Sequence, residues 1–250
     1  MVILKTAREL KKMREAGRIS AGALRKAGEA VEPGVSTLEL DTIVRSYIEN
    51  QGAYPSFLGY GGFPASACIS VNNVVIHGIP SKNQILRQGD IVSIDVGAEF
   101  QGYHGDNAYT FACGDVSRQA RDLMDATREA LMKGISKAVA GNRLGDIGAA
   151  VQRYVEARSY SVVRDFVGHG VGAKLHEDPS VPNYGTPGKG VRLLPGMTIA
   201  IEPMVNLGTH RVRVLEDEWT TVTADGKLSA HYEHTIAITP EGPVILTLPD

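Results

Sequence analysis

The feature that most constrains the fold is an internal duplication: the chain reads as helix, helix, strands and then helix, helix, strands again. At an offset of 107 residues, Gly34 matches Gly141, Val44 matches Val151, and Tyr47-Ile48-Glu49 matches Tyr154-Val155-Glu156. At an offset of 109, Phe57-Leu-Gly-Tyr-Gly61 matches Phe166-Val-Gly-His-Gly170. The run Gly89-Asp-Ile-Val-Ser-Ile-Asp95 falls on Gly196-Met-Thr-Ile-Ala-Ile-Glu202, again 107 apart. His104-Gly-Asp106 falls on His231-Tyr-Glu233 at 127, so the second half carries about 20 extra residues. Each half thus places two carboxylates at equivalent positions. No Ser-, Pro- or charge-rich linker separates the halves, which predicts a single domain over residues 1–250 with a pseudo-twofold axis.

Local signals fill in the elements. Thr6-Ala-Arg-Glu9 has capping-box spacing, and Leu10, Met13, Gly17 and Ala21 follow at helical intervals, predicting a helix from Ala7 to Ala30. Pro33-Gly34 stops it. Ser36-Thr-Leu-Glu39 repeats the box and opens a second helix with Leu40, Ile43, Val44, Tyr47 and Ile48 on its apolar face, ending near Gly52. Short β-like runs follow at Ala67 to Val71 and Val74 to His77. Ile91 to Phe100 and Tyr103 to Ala112 read as a hairpin around Gln101-Gly102. Helical spacing returns over Arg118 to Val139 and Leu144 to Arg158. Strand signals resume over Ser161 to Val167, Thr198 to Val205, His210 to Val214, Glu218 to Thr223 and Tyr232 to Thr239. The class is α/β (α+β).

Composition removes several functions. Lys plus Arg number 26 against 28 Asp plus Glu, so no broad positive field attracts nucleic-acid phosphates or an anionic membrane. Cys68 and Cys113 lie 45 residues apart without a C-x-x-C pattern, which excludes a cysteine zinc ribbon and a disulfide scaffold. No apolar run approaches the roughly 18 residues of a membrane span, and charge interrupts the first 30 residues too often for a signal peptide. The expectation is a soluble, cytoplasmic protein.

Asp95 and Asp106 sit inside apolar strand signals, where an unpaired carboxylate is costly to bury. If the hairpin turns between Phe100 and Gln101 without a bulge, the two are directly opposed, about 5 Å apart at Cβ. At that distance they repel unless they share a proton or a metal. Glu202, at the end of Ile-Ala-Ile and before Pro203, repeats the situation, and Glu233 before His-Thr-Ile-Ala-Ile makes four. An Arg or Lys partner would account for one isolated acid. Four at repeat-equivalent places ask for shared cations. His169 lies in Gly168-His-Gly-Val-Gly172, where glycines let the backbone approach a ligand closely, and His176 follows seven residues later. Four carboxylates and one imidazole suit a pair of hard or borderline divalent ions such as Mn, Fe(II), Co or Zn. Two such ions lower the pKa of a shared water and polarise a carbonyl or phosphoryl oxygen, so hydrolysis is the implied reaction class.

Gly-His-Gly-Val-Gly (168–172), Leu-His-Glu-Asp-Pro (175–179), Ile-Glu-Pro-Met (201–204), Val-Ser-Ile-Asp-Val-Gly (92–97), Tyr-His-Gly-Asp (103–106) and Tyr-Glu-His-Thr (232–235) together resemble the motifs of type I methionine aminopeptidases, over essentially the whole chain. The resemblance implies the pita-bread fold of creatinase and the aminopeptidases, a curved antiparallel sheet backed by helix pairs around an internal pseudo-twofold. It implies removal of the initiator methionine from nascent polypeptides and short peptides with a small second residue. By motif position the metal ligands would be Asp95, Asp106, His169, Glu202 and Glu233, with Asp95 on one ion and Asp106 and Glu233 bridging both. Glu202 would also act as general base, His176 would stabilise the tetrahedral intermediate, and His77 would contact the peptide near the scissile bond. A monovalent cation would sit near Asn72, Val74 and Ser229. The methionine pocket would be lined by Phe57, Tyr60, Phe63, Cys68, Leu175 and Trp219. Here Phe57 stands where a cysteine is common, Phe63 replaces a tyrosine and Leu175 a phenylalanine. The pocket stays apolar and aromatic, as a thioether requires. Only 31 residues separate Glu202 from Glu233, too few for the helical insertion of type II enzymes.

Other readings remain beside this one. His104, His210, His231 and His234 read as strand-surface residues, or for His104 and His231 as residues orienting the neighbouring acids. The first helix is locally basic, which fits a solvated face or a transient ribosome contact. A prolidase or aminopeptidase P of the same fold would cleave Xaa-Pro substrates. A non-catalytic relative would act as a ribosome- or RNA-associated binding protein. No exposed heptad or apolar stripe suggests an oligomer, so a monomer is expected.

Overall fold

The computed structural model describes residues 1–249. Its helices are α1 (Ala7–Glu29), α2 (Thr37–Asn50), α3 (Arg118–Ile135) and α4 (Leu144–Glu156). Both predicted capping boxes form: Thr6 and Ser36 hydroxyls accept from the amides of Glu9 and Glu39, and each glutamate accepts the cap residue's own amide at 2.8 Å. Such caps contribute about 1 kcal/mol each. α3 stops four residues before the predicted Val139. The Ser136 hydroxyl there bonds back to the Lys133 carbonyl at 2.7 Å, competing for the last turn. α4 ends at Glu156, just before Ser159 takes a left-handed φ of 62°.

The strands of the first half are β1 (Tyr54–Pro55), β2 (Ala67–Val71), β3 (Val74–Ile76), β4 (Ile91–Phe100) and β5 (Tyr103–Ala112). The second half has β6 (Ser161–Val162), β7 (Gly168–Gly170), β8 (Glu177–Val181), β9 (Thr198–Ile201), β10 (Met204–Asn206), β11 (Val212–Val214), β12 (Thr221–Thr223), β13 (Ser229–His231), β14 (Glu233–Thr239) and β15 (Gly242–Ile245). The main sheet runs β1-β4-β5-β14-β9-β7-β8, with β2 added to β4 and β15 to β14, and every pairing is antiparallel. The halves therefore meet where β5 pairs with β14. Two three-stranded ribbons, β13-β10-β6 and β11-β12-β3, complete the fold.

Several expected strands are shorter or split. The run Thr198 to Val205 breaks at Glu202-Pro203, because proline cannot donate to the ladder. Ser161 to Val167 contracts to β6, while His210 to Val214, Glu218 to Thr223 and Tyr232 to Thr239 begin two, three and one residues late. The edge strand β8 escapes sequence reading because Glu177, Asp178 and Pro179 carry none of the usual strand signals.

One register differs from expectation, and it matters for the site. The hairpin turns at Gln101-Gly102, both with positive φ, 52° and 77°, so Phe100 pairs with Tyr103. Two residues with positive φ match the twist of the flanking strands better than a turn one residue earlier. Asp95 consequently faces Ala108 and Asp106 faces Gly97. The two acids are diagonal neighbours on one face of the sheet rather than directly opposed.

The helices cover the other face. α1 lies across β4 and β5 in near-backbone contact: a Cβ on Gly105 would sit 2.5 Å from the Gly17 Cα. Ile19, Leu24, Leu40, Val44 and Ile48 close the first core over β2 and β4, and Leu123, Leu131, Ile147 and Val151 close the second over β9 and β14. Tyr109, on β5 at the seam, touches both. The basic face of α1 is partly neutralised, with Arg18 on Glu15 and Arg25 and Lys26 on Glu29. Among the described residues, no helix is long and apolar enough to cross a membrane.

Candidate active site

The sheet face opposite the helices carries the four acids. Asp95 projects from β4 and Asp106 from β5, and Glu233 starts β14, where it pairs with Ala108. Glu202 follows the last residue of β9. The β9–β14 register, extended one step past Ile201–His234, sets it opposite Glu233. Thr235 locks the seam between the halves, its hydroxyl donating to the Asp106 carbonyl at 2.8 Å and accepting the Asp106 amide at 3.1 Å. His169, from β7, brings its Nε2 to 3.5 Å from Glu202 Oε1 and 3.7 Å from Asp106 Oδ2. Its Nδ1 lies 2.9 Å from the Gly170 carbonyl, which fixes the hydrogen on Nδ1 and leaves the Nε2 lone pair facing the acids.

Four carboxyls this close and this buried cannot all be charged without a positive partner. Burial raises Asp95 to about 7, although hydrogen-bonding contact with Asp106 works against the rise. Burial, and then the charges of their neighbours, pushes Asp106, Glu202 and Glu233 well above the ordinary carboxylate range. Burial also lowers His169 to about 3, so the imidazole is neutral and able to ligate. Asp95 Oδ1, Asp106 Oδ1 and Glu233 Oε1 are buried without a protein partner, which is rare unless an ion or water completes them. Asp106, His169 and Glu233 offer ligand atoms within 4.8 Å of one another. An oxygen-rich set with one imidazole nitrogen fits hard or borderline divalent cations.

Above the acids opens a cavity of about 230 Å³, below the roughly 300–1,000 Å³ of drug-sized sites and suited to one side chain beside a reacting group. All of the expected pocket residues line it: Phe57, Tyr60, Phe63, Cys68, Leu175 and Trp219, with His77 and His176. Phe57, Phe63, Cys68 and Leu175 form one buried apolar cluster against which Trp219 packs, with the Phe63 and Trp219 rings 5.1 Å apart at 70°. Asp41 of α2 accepts the amides of Ser66 and Ala67 at 2.8 Å each, anchoring the start of β2 and hence Cys68. Burial and then Asp95 push the Cys68 thiol up, so it serves as an apolar wall rather than a nucleophile.

His77 has a left-handed φ of 58°, and its ring meets Phe166 and Trp219 edge-on at 5.7 and 6.1 Å. That backbone conformation turns the chain straight after β3 and, with the two rings, sets the imidazole at the cavity wall. Sequence reading left Ile76, Phe166 and Val167 out of the lining. Phe166 was within reach, because the repeat aligns it with Phe57. Away from this cavity, the Asn72 carbonyl accepts the Ser229 amide at 2.9 Å, while the Asn72 side chain is committed to Asp90 and Ile91. Among the other histidines, His231 is buried with no partner at Nε2, His104 bonds Ser56 at 2.9 Å and His234 bonds Thr247 at 2.9 Å.

Comparison with known proteins agrees with this geometry. Residues 11–240 match the metallopeptidase family M24. The chain is 57% identical over 248 residues to a methionine aminopeptidase of Clostridium perfringens, covering 99% of each chain. It superposes on the crystal structure of a methionine aminopeptidase from Thermotoga maritima with a TM-score of 0.97 at 48% identity, covering 99% of each. A prolidase from Pyrococcus horikoshii shares the architecture at a TM-score of 0.80 and 25% identity, but this chain covers only 65% of it. The curled antiparallel sheet backed by helices is the pita-bread fold, and this chain belongs to the metallopeptidase family M24, a family of divalent-metal-dependent peptidases.

Proposed function

We propose that the chain is a methionine aminopeptidase of type I that removes the N-terminal methionine from nascent polypeptides and short peptides with a small second residue, residues 1–250 acting as one catalytic unit. The observation that carries this reading is the coincidence, on one sheet face, of buried carboxylate oxygens without protein partners and an apolar, aromatic cavity just large enough for one side chain. Asp95, Asp106, His169, Glu202 and Glu233 would hold two divalent ions, drawn from Mn, Fe(II), Co and Zn. When bound, these ions would acidify a water and polarise the scissile carbonyl.

The chain's own groups do the rest. Phe57, Tyr60, Phe63, Cys68, Leu175 and Trp219 enclose the methionine side chain and exclude water from it. Glu202 takes the proton of the attacking water and delivers it to the departing amine. His176 offers an N–H to the carbonyl oxygen as negative charge builds there. His77, held by its backbone and by Phe166 and Trp219, bonds the peptide beside the cleaved bond. A bulky second residue would crowd the same rim. A monovalent cation near Asn72, Val74 and Ser229, transient ribosome contact through the basic face of α1, and a monomeric, cytoplasmic protein complete the reading.

The test is methionine release from Met-Ala-Ser set against cleavage of Xaa-Pro peptides, by metal-free protein reconstituted in turn with Mn, Fe(II), Co and Zn. Release from Met-Ala-Ser alone, lost in Glu202→Gln, is the expected result. Cleavage of Xaa-Pro peptides alone would move the protein to the prolidase side, and silence with every metal would refute the reading.

A further inference from the structure

Two imidazoles face the cavity with ring centroids 4.1 Å apart, and their Nδ1 atoms meet opposite kinds of partner. His169 Nδ1 meets a backbone carbonyl, which only accepts. His176 Nδ1 lies 2.8 Å from the Tyr60 hydroxyl, which both donates and accepts. A phenol O–H is a stronger donor than an imidazole N–H, and an unprotonated imidazole nitrogen is a stronger acceptor than a phenol oxygen. The favoured arrangement is therefore Tyr60 Oη–H donating to His176 Nδ1, which puts the single imidazole hydrogen on Nε2. The neighbouring rings then hold opposite tautomers: His169 offers a lone pair at Nε2, and His176 offers an N–H there.

We infer that Tyr60 is a positioning residue for catalysis, fixing His176 in the tautomer that donates from Nε2. Because the Tyr60 ring also walls the side-chain cavity, one residue joins recognition of the substrate side chain to the donor that meets the carbonyl oxygen. The geometry of the loop supports a placed residue. Tyr60 is 46% exposed, so its ring is held by little core packing, and Gly59, Gly61 and Gly62 around it all take positive φ, shaping a tight turn that presents it. Its ring centroid lies 5.2 Å from that of His176. The inference rests on the reading of His176 given above.

Tyr60→Phe separates this role from simple lining, since it keeps the ring and deletes only the hydroxyl. For Met-Ala-Ser, kcat should fall about 10- to 100-fold, the range typical of losing a partner that orients a functional imidazole, with KM within about twofold. In a His176→Ala background the same change should cost no more than about twofold, because the two residues act as a unit. Side-chain ¹⁵N spectra of the zinc-loaded protein give a readout free of turnover: His176 should show an unprotonated Nδ1 and a protonated Nε2, becoming a tautomer mixture in Tyr60→Phe. Wild-type kcat in Tyr60→Phe, an equal loss in the His176→Ala background, or a protonated Nδ1 in the unaltered protein would each overturn the inference. If the unaltered protein released no methionine with any metal, the functional reading would fall, and the ¹⁵N spectra would still decide the tautomer.

Discussion

The first half of the molecule holds its two acids on one uninterrupted hairpin, β4 and β5, ten residues to a strand and a two-residue turn between them. The second half divides the corresponding pair. β9 ends after four residues at Glu202-Pro203, the chain leaves through β10 to β13, and only then does β14 begin with Glu233. The acids also stand differently: Asp95 and Asp106 are diagonal within one ladder, whereas the β9–β14 ladder ends at Ile201–His234, one step short of Glu202 and Glu233. A continuous hairpin fixes the backbone from which both of its acids project. An acid placed just past a strand end, beside a proline, is freed from the ladder. On the reading proposed above, Asp95 and Asp106 would only hold the ions, whereas Glu202 would hold them and move the proton as well.

The largest effect should come from testing that division directly. Glu202→Gln should lower kcat by about 10³-fold, within the range for losing a general base, and added metal should not restore it. Asp95→Asn should lose activity chiefly through metal affinity and regain most of its rate when Mn is raised. Equal rescue of the two variants, in a titration of rate against Mn, would erase the distinction. Next in size is the part of the second half that reaches into the first. Trp219→Ala should lower kcat/KM for Met-Ala-Ser by about 10- to 100-fold, about 1.4–2.7 kcal/mol at the pocket, while metal content by elemental analysis stays unchanged.

A smaller effect concerns the acids together. In the metal-free protein the buried carboxyls are raised, so the folded chain binds more protons than the unfolded chain above the ordinary carboxylate range. Burial lowers His77 to about 4 and His169 and His231 to about 3, which acts in the opposite sense below about pH 6.5. The unfolded histidines, half protonated at pH 6.5, are neutral only above about pH 7.5, where the raised acids dominate. Stability should then fall as pH rises beyond about 7.5, where the carboxyls raised further than Asp95 give up their protons. The Tm of metal-free protein should drop by roughly 5 °C between pH 7.5 and 8.5, and excess Mn should flatten the trend. A Tm that stays level without metal would mean the acids are paired in some other way. The smallest effect is in the helices: Ser36→Ala should cost about 1 kcal/mol, roughly 2–4 °C in Tm, with the metal-loaded rate unchanged.

Much of this was legible in the sequence, for reasons particular residues make plain. Capping boxes are local, so Thr6 with Glu9 and Ser36 with Glu39 announced their helices without help from the rest of the chain. The four acids were conspicuous because carboxylates are costly within apolar strands. The hairpin register was misplaced by one step because the turn was centred on Phe100 and Gln101 rather than on Gln101 and Gly102. Short strands such as β8 depend on the neighbour they pair with, which a sequence does not display. Phe166 was announced by its repeat partner Phe57, but its place beside His77 depends on how the halves close on each other.

One pairing leaves room for change over evolutionary time. β12, inside the segment that only the second half possesses, pairs with β3 of the first half, Thr221 opposite Ile76, one residue before His77. Trp219 is thereby borne on a strap paired with the first half, while Asp95, Asp106 and Glu233 belong to a different sheet. Changes in the length or composition of that strap would alter which side chain the cavity admits and leave the catalytic ladder undisturbed. Such a separation gives a lineage room to vary its taste for substrates without reinventing its chemistry.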